Sequence, residues 1–125
     1  MTYKVLIVDD EPNILLSLEF LMHGEGYAVT TARNGEEALR LAADIRPHLM
    51  LLDVMMPEIN GFEVCRTLRA DPQQRELKIL VLTARGRESE IKRGLSSGAD
   101  AYITKPFATQ ELTAMVRQLM ARARS

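Results

Sequence analysis

The sequence predicts an α/β fold in which helices cover both faces of a parallel β-sheet. Five short apolar runs alternate along the 125-residue chain with five segments of helical periodicity. Strict alternation of this kind is typical of a parallel sheet, in which a helix connects each strand to the next. Two of the runs, residues 5–8 and 49–52, are continuously apolar. Such runs are expected of central strands, because helices bury these strands on both faces.

The apolar runs are the predicted strands, and each ends in a residue that can handle a phosphoryl group or a hard metal ion, the second run less clearly than the others. The runs are residues 4–8, 27–32, 48–52, 79–82 and 101–104. In chain order they end at Asp9 and Asp10, Arg33, Asp53, Thr83 and Lys105. The carboxyl ends of parallel strands lie along one edge of the sheet, where doubly wound sheets bind their ligands. We therefore expect three carboxylates, a hydroxyl and an ammonium group to converge there.

The segments after the runs carry apolar residues at helical spacing. The first begins at Pro12, which suits a first helical turn because its missing N–H costs nothing there. The second and third open with capping-box patterns at Asn34 and Asn60. The fourth is residues 87–97, and the fifth runs from about Thr109 to Ala123, with its apolar residues on one stripe.

The composition indicates one compact domain. The length is close to the commonest domain size, and 46% hydrophobic and 26% charged residues are typical of a globular protein. A net charge of −1 gives no long-range attraction to nucleic acid or to an anionic membrane. The single cysteine, Cys65, excludes an internal disulfide. Without a secretory leader or an apolar stretch near about 20 residues, we expect a cytoplasmic protein that is not inserted in a membrane.

Five motifs in order give the chain a resemblance to a known family. They are Val8-Asp9-Asp10, Asp53 to Pro57 followed by Gly61, Leu82-Thr83-Ala84, Gly98-Ala99-Asp100 and Lys105-Pro106-Phe107. In this set, and over essentially its whole length, the chain resembles the receiver domains of two-component response regulators. The resemblance implies a flavodoxin-like, doubly wound sheet of five strands in the order 2-1-3-4-5, with five helices in three layers. It also implies that residues 1–125 form a single receiver domain, whose effector domain is absent from this chain.

The resemblance assigns Asp53 as the residue that accepts a phosphoryl group. A carboxylate is a competent nucleophile toward phosphorus and forms an acyl phosphate. Phosphoryl transfer needs charge neutralisation, usually by a divalent ion, and Mg²⁺ prefers oxygen ligands. The implied ligands are Asp10 directly, Asp9 through water, Asp53, and the backbone carbonyl of Met55. Mn²⁺ is an expected substitute for Mg²⁺.

The resemblance also assigns the residues that turn phosphorylation into a change of shape. Lys105 pairs with one phosphoryl oxygen and Thr83 donates its hydroxyl to another. Tyr102 then follows Thr83 inward, which makes it the readout of a two-state switch. Pro106 is expected to follow a cis peptide bond, since only X-Pro bonds are cheaply cis.

The implied partners are a sensor histidine kinase or a phosphotransfer protein on one side and an effector on the other. The effector is expected at the face formed by the fourth helix, the fifth strand and the fifth helix. The local sequence is closest to receivers that carry winged-helix effectors, so a phosphorylation-dependent homodimer is expected too. However, Ala101 and Met115 replace charged residues of that subfamily's dimer contact. A stand-alone receiver, a fragment of a longer regulator, and a receiver fragment of a hybrid kinase or phosphorelay intermediate fit the sequence equally well.

Two other classes and several structural explanations compete with this hypothesis. An aspartate-nucleophile phosphohydrolase would need two aspartates separated by one residue, whereas Asp9 and Asp10 are adjacent. A flavodoxin-like FMN carrier would need a loop rich in serine, threonine and glycine after the first strand, whereas this loop is acidic. Taken alone, Asp10 is expected to be a helix N-cap and Asp53 a turn residue. The receiver hypothesis makes the chain a phosphoacceptor switch, not an enzyme, that catalyses only its own phosphorylation and dephosphorylation.

Overall fold

The computed structural model describes residues 2–53, 61–84 and 98–124. The elements in chain order are β1 (Lys4–Val8), α1 (Pro12–Gly24), β2 (Ala28–Ala32), α2 (Gly35–Ile45), β3 (Leu49–Asp53), α3 (Gly61–Ala70), a 3₁₀ turn (Pro72–Gln74), β4 (Lys78–Ala84), β5 (Ala101–Lys105) and the C-terminal helix (Thr109–Arg124). The predicted fourth helix, residues 87–97, lies outside the described residues. The other predicted elements are all present, with bounds within a few residues of those expected.

The five strands form one parallel sheet in the order β2-β1-β3-β4-β5. The predicted α/β class and the 2-1-3-4-5 order are therefore confirmed. β1 and β3 lie side by side, and the chain winds outward from them in both directions. β2 and β5 are the edge strands, which explains why the second strand ends away from the other polar groups.

Alternate residues of the central strands face two separate cores. Leu6, Val8, Met50 and Leu52 pack toward α2 and α3. Their chain neighbours, such as Ile7 and Leu51, pack toward α1 and the C-terminal helix. Side chains of a strand point alternately to the two faces of a sheet, so helices on both faces bury every residue of β3. The result is the three-layer arrangement expected from the continuous apolar runs.

The helix ends follow the local signals in the sequence. Pro12 is the first residue of α1. The chain leaves α1 through Gly26, whose φ of 89° is easily reached only by glycine. Asn34 caps α2, because its side-chain oxygen accepts a hydrogen bond from the backbone N–H of Glu37 at 2.8 Å. None of the helices among the described residues is long and apolar enough to cross a membrane.

His48 contacts the backbone of β1 and makes the stability of the fold depend on pH. Its Nδ1 accepts a hydrogen bond from the N–H of Lys4 at 3.0 Å, and its ring packs edge-on against Tyr3. Burial of the ring, together with the charge of Lys4, holds the pKa of His48 below its usual 6.5. The fold therefore favours the neutral ring, and this contribution is complete above pH 6.5 and is lost as pH falls below it.

We expect the free energy of unfolding to decrease between pH 7 and pH 5, in part because His48 takes up a proton. His48→Asn keeps an acceptor oxygen at the same distance from the backbone but does not titrate, so its stability should vary less over this range. Urea denaturation at several pH values measures the difference. His23→Asn, at the chain's other histidine, is the matched control. An equal pH dependence in His48→Asn and in the wild type would contradict the prediction.

Candidate functional site

Three carboxylates meet at the carboxyl ends of β1 and β3. Asp9 and Asp10 follow β1 and Asp53 ends β3. Each offers an oxygen within 4.8 Å of the oxygens of the other two. Asp9 and Asp53 are buried and Asp10 is exposed. The predicted convergence of carboxylates thus exists, and the group is open to solvent on the side of Asp10.

Asp9 is held by the backbone at the start of α1. Its Oδ1 accepts a hydrogen bond from the N–H of Glu11 at 3.0 Å, and its own N–H donates to the carbonyl of Ala32 at 3.1 Å. The N-cap residue of α1 is Glu11, and Glu11 makes no side-chain capping bond. The structural explanation of Asp10 as the N-cap is therefore wrong, because Glu11 stands between Asp10 and the first helical residue, Pro12.

Lys105 brings a positive charge into the carboxylate group from β5. Its Nζ lies 3.1 Å from Oδ2 of Asp9 and 3.6 Å from Oδ2 of Asp53. Burial by itself would lower the pKa of Lys105, but the charges of Asp53 and Asp9 outweigh it and raise the pKa above its ordinary 10.5. The ammonium group is thus charged at any pH below that value, and its single positive charge is shared between two of the three carboxylates.

The remaining predicted site residues lie on β4 and β5 or beyond them. Thr83 is buried near the end of β4 and is in register with Thr104 of β5. Tyr102 is 40% exposed. Because it lies two residues before Thr104, its side chain is on the same face of the sheet as that of Thr83. The Lys105–Pro106 peptide bond is cis.

Part of the predicted site lies outside the described residues. The backbone carbonyl of Met55, predicted as a metal ligand, belongs to the segment after β3 that is not described. The same holds for Asn60, predicted to cap α3, and for the fourth-helix part of the effector face.

Sequence reasoning missed a polar cluster at the amino ends of β4 and β5, the end of the sheet opposite the carboxylates. Arg69 of α3 contacts Gly98 and Asp100, which precede β5. The sequence marks a motif at residues 98–100, but nothing in the spacing of Arg69 links it to that motif. Cys65, one helical turn before Arg69, is fully buried. Burial raises the pKa of its thiol to about 11.

The fold and this site define a class of protein, and comparison with known families identifies it. Residues 5–117 match the family described as the response regulator receiver domain. The chain therefore belongs to the receiver domains of response regulators, which are phosphorylation-dependent signalling switches and not classical enzymes. Membership decides against the phosphohydrolase and the FMN carrier.

Relatives and solved structures agree with this assignment. The chain is 43% identical, over 124 residues, to the phosphate regulon transcriptional regulatory protein PhoB of Rhizobium meliloti, a match that covers 99% of this chain and 55% of that protein. It is 48% identical to the response regulator MprA of Mycolicibacterium vanbaalenii, over 98% of this chain and 52% of that one. The chain thus spans about half the length of the curated relatives it matches.

Two solved structures share the fold closely. A putative response regulator from Chloroflexus aurantiacus superposes with a TM-score of 0.93 at 38% identity, over 97% of this chain and 99% of that one. The receiver domain of sensor histidine kinase PA1611 from Pseudomonas aeruginosa superposes with a TM-score of 0.86 at 30% identity, over the full length of both chains. That second structure has a magnesium ion coordinated in its active-site cleft.

We expect Lys105→Ala to lower the free energy of unfolding by about 1–3 kcal/mol at pH 7, because it leaves Asp9 buried without its charged partner. Chemical denaturation measures the loss. Lys4→Ala is the control, since its ammonium group donates only to a backbone carbonyl, at 3.0 Å, on an exposed part of the surface. Equal losses in the two variants would mean that the contact of Lys105 with the carboxylates contributes nothing to stability.

Proposed function

We propose that this chain is a phosphoacceptor switch in which Asp53 receives a phosphoryl group from a phosphohistidine. The observation that carries the proposal is the position of Asp53, grouped with two more carboxylates and 3.6 Å from the ammonium group of Lys105. Family membership supports the chemistry, since the matched residues 5–117 include every member of this group. The donor is a sensor histidine kinase or a phosphotransfer protein.

In the proposed reaction a carboxylate oxygen of Asp53 attacks phosphorus. An oxygen–phosphorus bond forms, the nitrogen–phosphorus bond of the phosphohistidine breaks, and the imidazole leaves and takes up a proton. The product is an acyl phosphate on Asp53. Water later attacks the same phosphorus, which returns Asp53 to a carboxylate and releases phosphate. Charge neutralisation around the phosphoryl oxygens is the main requirement of both steps.

The carboxylate group has the donor set that a Mg²⁺ site requires. Mg²⁺ binds oxygen ligands, and Asp9, Asp10 and Asp53 offer oxygens within 4.8 Å of one another. We propose Asp10 as a direct ligand, since it is exposed, and Asp9 as a ligand through water, since it is buried and already bonded. Asp53 and the backbone carbonyl of Met55 complete the set. When bound, Mg²⁺ neutralises negative charge on the phosphoryl group, and Mn²⁺ substitutes for it.

Lys105 and Thr83 are proposed to bind the phosphoryl oxygens and so to report phosphorylation. Lys105 already contacts Asp53, so a short movement of its ammonium group suffices to pair it with an added phosphoryl group. Thr83 lies next to Leu82, which is in register with Asp53. Its movement toward the phosphoryl group opens space on the face of the sheet that it shares with Tyr102. Tyr102, which is exposed in the structure, then moves inward and changes the surface of β5.

The proposed output is control of an effector through the face that includes β5 and the C-terminal helix. Relatives named as transcriptional regulators, together with the half-length match, favour a DNA-binding effector in the intact protein over a hybrid kinase. The receiver itself is not proposed to bind nucleic acid. A phosphorylation-dependent homodimer through the same face remains part of the proposal. We propose a cytoplasmic location, with which the free thiol of Cys65 is compatible.

Incubation with acetyl phosphate and Mg²⁺ is expected to add one phosphoryl group to the wild type and none to Asp53→Asn, because an amide oxygen is a poor nucleophile. Intact-mass spectrometry detects the added mass. Asp44→Asn, an exposed position on α2, is the matched control and should be labelled like the wild type. EDTA in place of Mg²⁺ should abolish labelling. Labelling of Asp53→Asn at the wild-type level would show that the acceptor is another residue.

Lys105→Ala is expected to accept the phosphoryl group while losing the response of Tyr102. Removal of the ammonium group leaves the nucleophile in place but removes the pairing that draws the readout inward. The NMR signals of the Tyr102 ring, compared before and after phosphorylation, measure the response, with Lys4→Ala as the control. A wild-type change at Tyr102 in phosphorylated Lys105→Ala would remove Lys105 from the switch.

A further inference from the structure

A cluster around Arg69 joins α3 to the segments that precede β4 and β5. It lies at the amino ends of these strands, whereas the carboxylates lie at the carboxyl ends of β1 and β3. The guanidinium group of Arg69 donates three hydrogen bonds: from Nε to the carbonyl of Gly98 at 2.7 Å, from Nη1 to the carbonyl of Leu77 at 2.7 Å, and from Nη2 to Oδ2 of Asp100 at 2.5 Å. One side chain of α3 therefore holds both the residue before β4 and the residues before β5. With only 23% of its side chain exposed, Arg69 is largely shielded from solvent.

Asp100 connects the same cluster to the first residues of β4. Its Oδ2 also accepts a hydrogen bond from the N–H of Ile79 at 2.7 Å, and its own N–H donates to the carbonyl of Ile79 at 2.9 Å. These bonds lie immediately before the first β4–β5 pair, Leu80 with Ala101. The alignment of β5 against β4 is thus defined where β5 starts.

Gly98 fits this cluster for two reasons. Its φ of 107° is a backbone conformation that side chains disfavour. A Cβ atom at this position would also overlap with Cγ of Arg69. Glycine therefore allows the backbone to come close enough for its carbonyl to accept the bond from Nε.

The alignment of β5 matters because β5 is an edge strand that carries Lys105. Among the described strands β5 pairs with β4 alone, so a single neighbour sets its register. A slip of one residue would move Lys105 by about 3.3 Å along the strand and turn its side chain to the other face. Its contacts with Asp9 and Asp53, at 3.1 and 3.6 Å, exist only in the observed register.

We propose that Arg69 is a positioning residue that, with Asp100 and Gly98, locks the register of β5 and thereby holds Lys105 at the carboxylate group. We call these three residues the register lock. It acts along the length of β5: Gly98 and Asp100 lie just before its first residue, Arg69 bonds to both, and Lys105 is its last residue. Its consequence for signalling rests on the proposed function, because Lys105 is the residue that pairs with the phosphoryl group there.

Hydrogen exchange of the unphosphorylated protein tests the lock directly. In Arg69→Met, which keeps the aliphatic part of the side chain, the protection of β5 amides relative to β1 amides should fall by about tenfold or more, because hydrogen bonds made by a charged donor are lost locally. Gly98→Ala, which displaces Arg69 from the other side, should have the same effect. A fall of equal size in β5 and β1 would overturn the proposal and make Arg69 a general stabilising residue.

Two control variants distinguish loss of the register lock from the loss of any positive charge on α3 and from a general loss of stability. Arg66→Ala removes an exposed arginine from the same helix and should leave the ratio of β5 to β1 protection unchanged. Val29→Ala lowers stability at β2, the opposite edge strand, where Val29 packs against the core. It should not lower the protection of β5 more than that of β1. A selective loss of β5 protection in either control would also overturn the proposal.

A second measurement tests the consequence for signalling. With acetyl phosphate and Mg²⁺, Arg69→Met should gain one phosphoryl group but show a smaller phosphorylation-dependent change at Tyr102 than the wild type. A full wild-type response in Arg69→Met would overturn the positioning role. If the wild type itself is not labelled, the proposed function fails, while the exchange ratio still decides whether the lock exists.

Discussion

The contact between the Lys105 ammonium group and the carboxylates of Asp9 and Asp53 is the interaction on which the site depends. Three carboxylates within 4.8 Å of one another repel strongly unless a positive charge compensates them. Asp9 is fully buried, so its charge is tolerated only because Lys105 and a backbone N–H bond to it. One ammonium group faces three carboxylates, so the group has the oxygen ligands and the excess negative charge that suit the divalent ion proposed to bind here.

The position of that ammonium group depends in turn on how an edge strand is held. β5 has one neighbour among the described strands, and its two ends have different tasks. The carboxyl end of β5 presents Lys105 to the carboxylates, and Arg69 and Asp100 hold its amino end. Tyr102, between them, shares a face with Thr83. In the proposed switch, a strand fixed at its start and charged at its end would carry a change at the phosphoryl group to the surface of the sheet, where the proposed effector binds.

Much of the fold was predictable because the relevant signals are local and repeat along the chain. The continuously apolar runs identified β1 and β3 as central, and both are buried on both faces. Pro12 and Asn34 marked where α1 and α2 begin. The N-cap of α1 was the local exception. Asp10 has the residue type of a cap, but the turn out of β1 places Glu11 there and uses Asp9 to bond it. The path of the backbone decides which of several adjacent polar residues caps a helix. The types of those residues do not specify that path.

By itself, the sequence determined the order and type of the elements, and it placed the polar residues at one edge of a parallel sheet. Tertiary structure decided which of those residues touch. Lys105 meets Asp9 although 96 positions separate them, because β5 and β1 are held in one sheet by the strands between them. Arg69 meets Asp100 across 31 positions because α3 packs beside the start of β5. Contacts of this range leave no periodic pattern in the chain, since they depend on strand register and helix packing, which exist only once the whole sheet has formed.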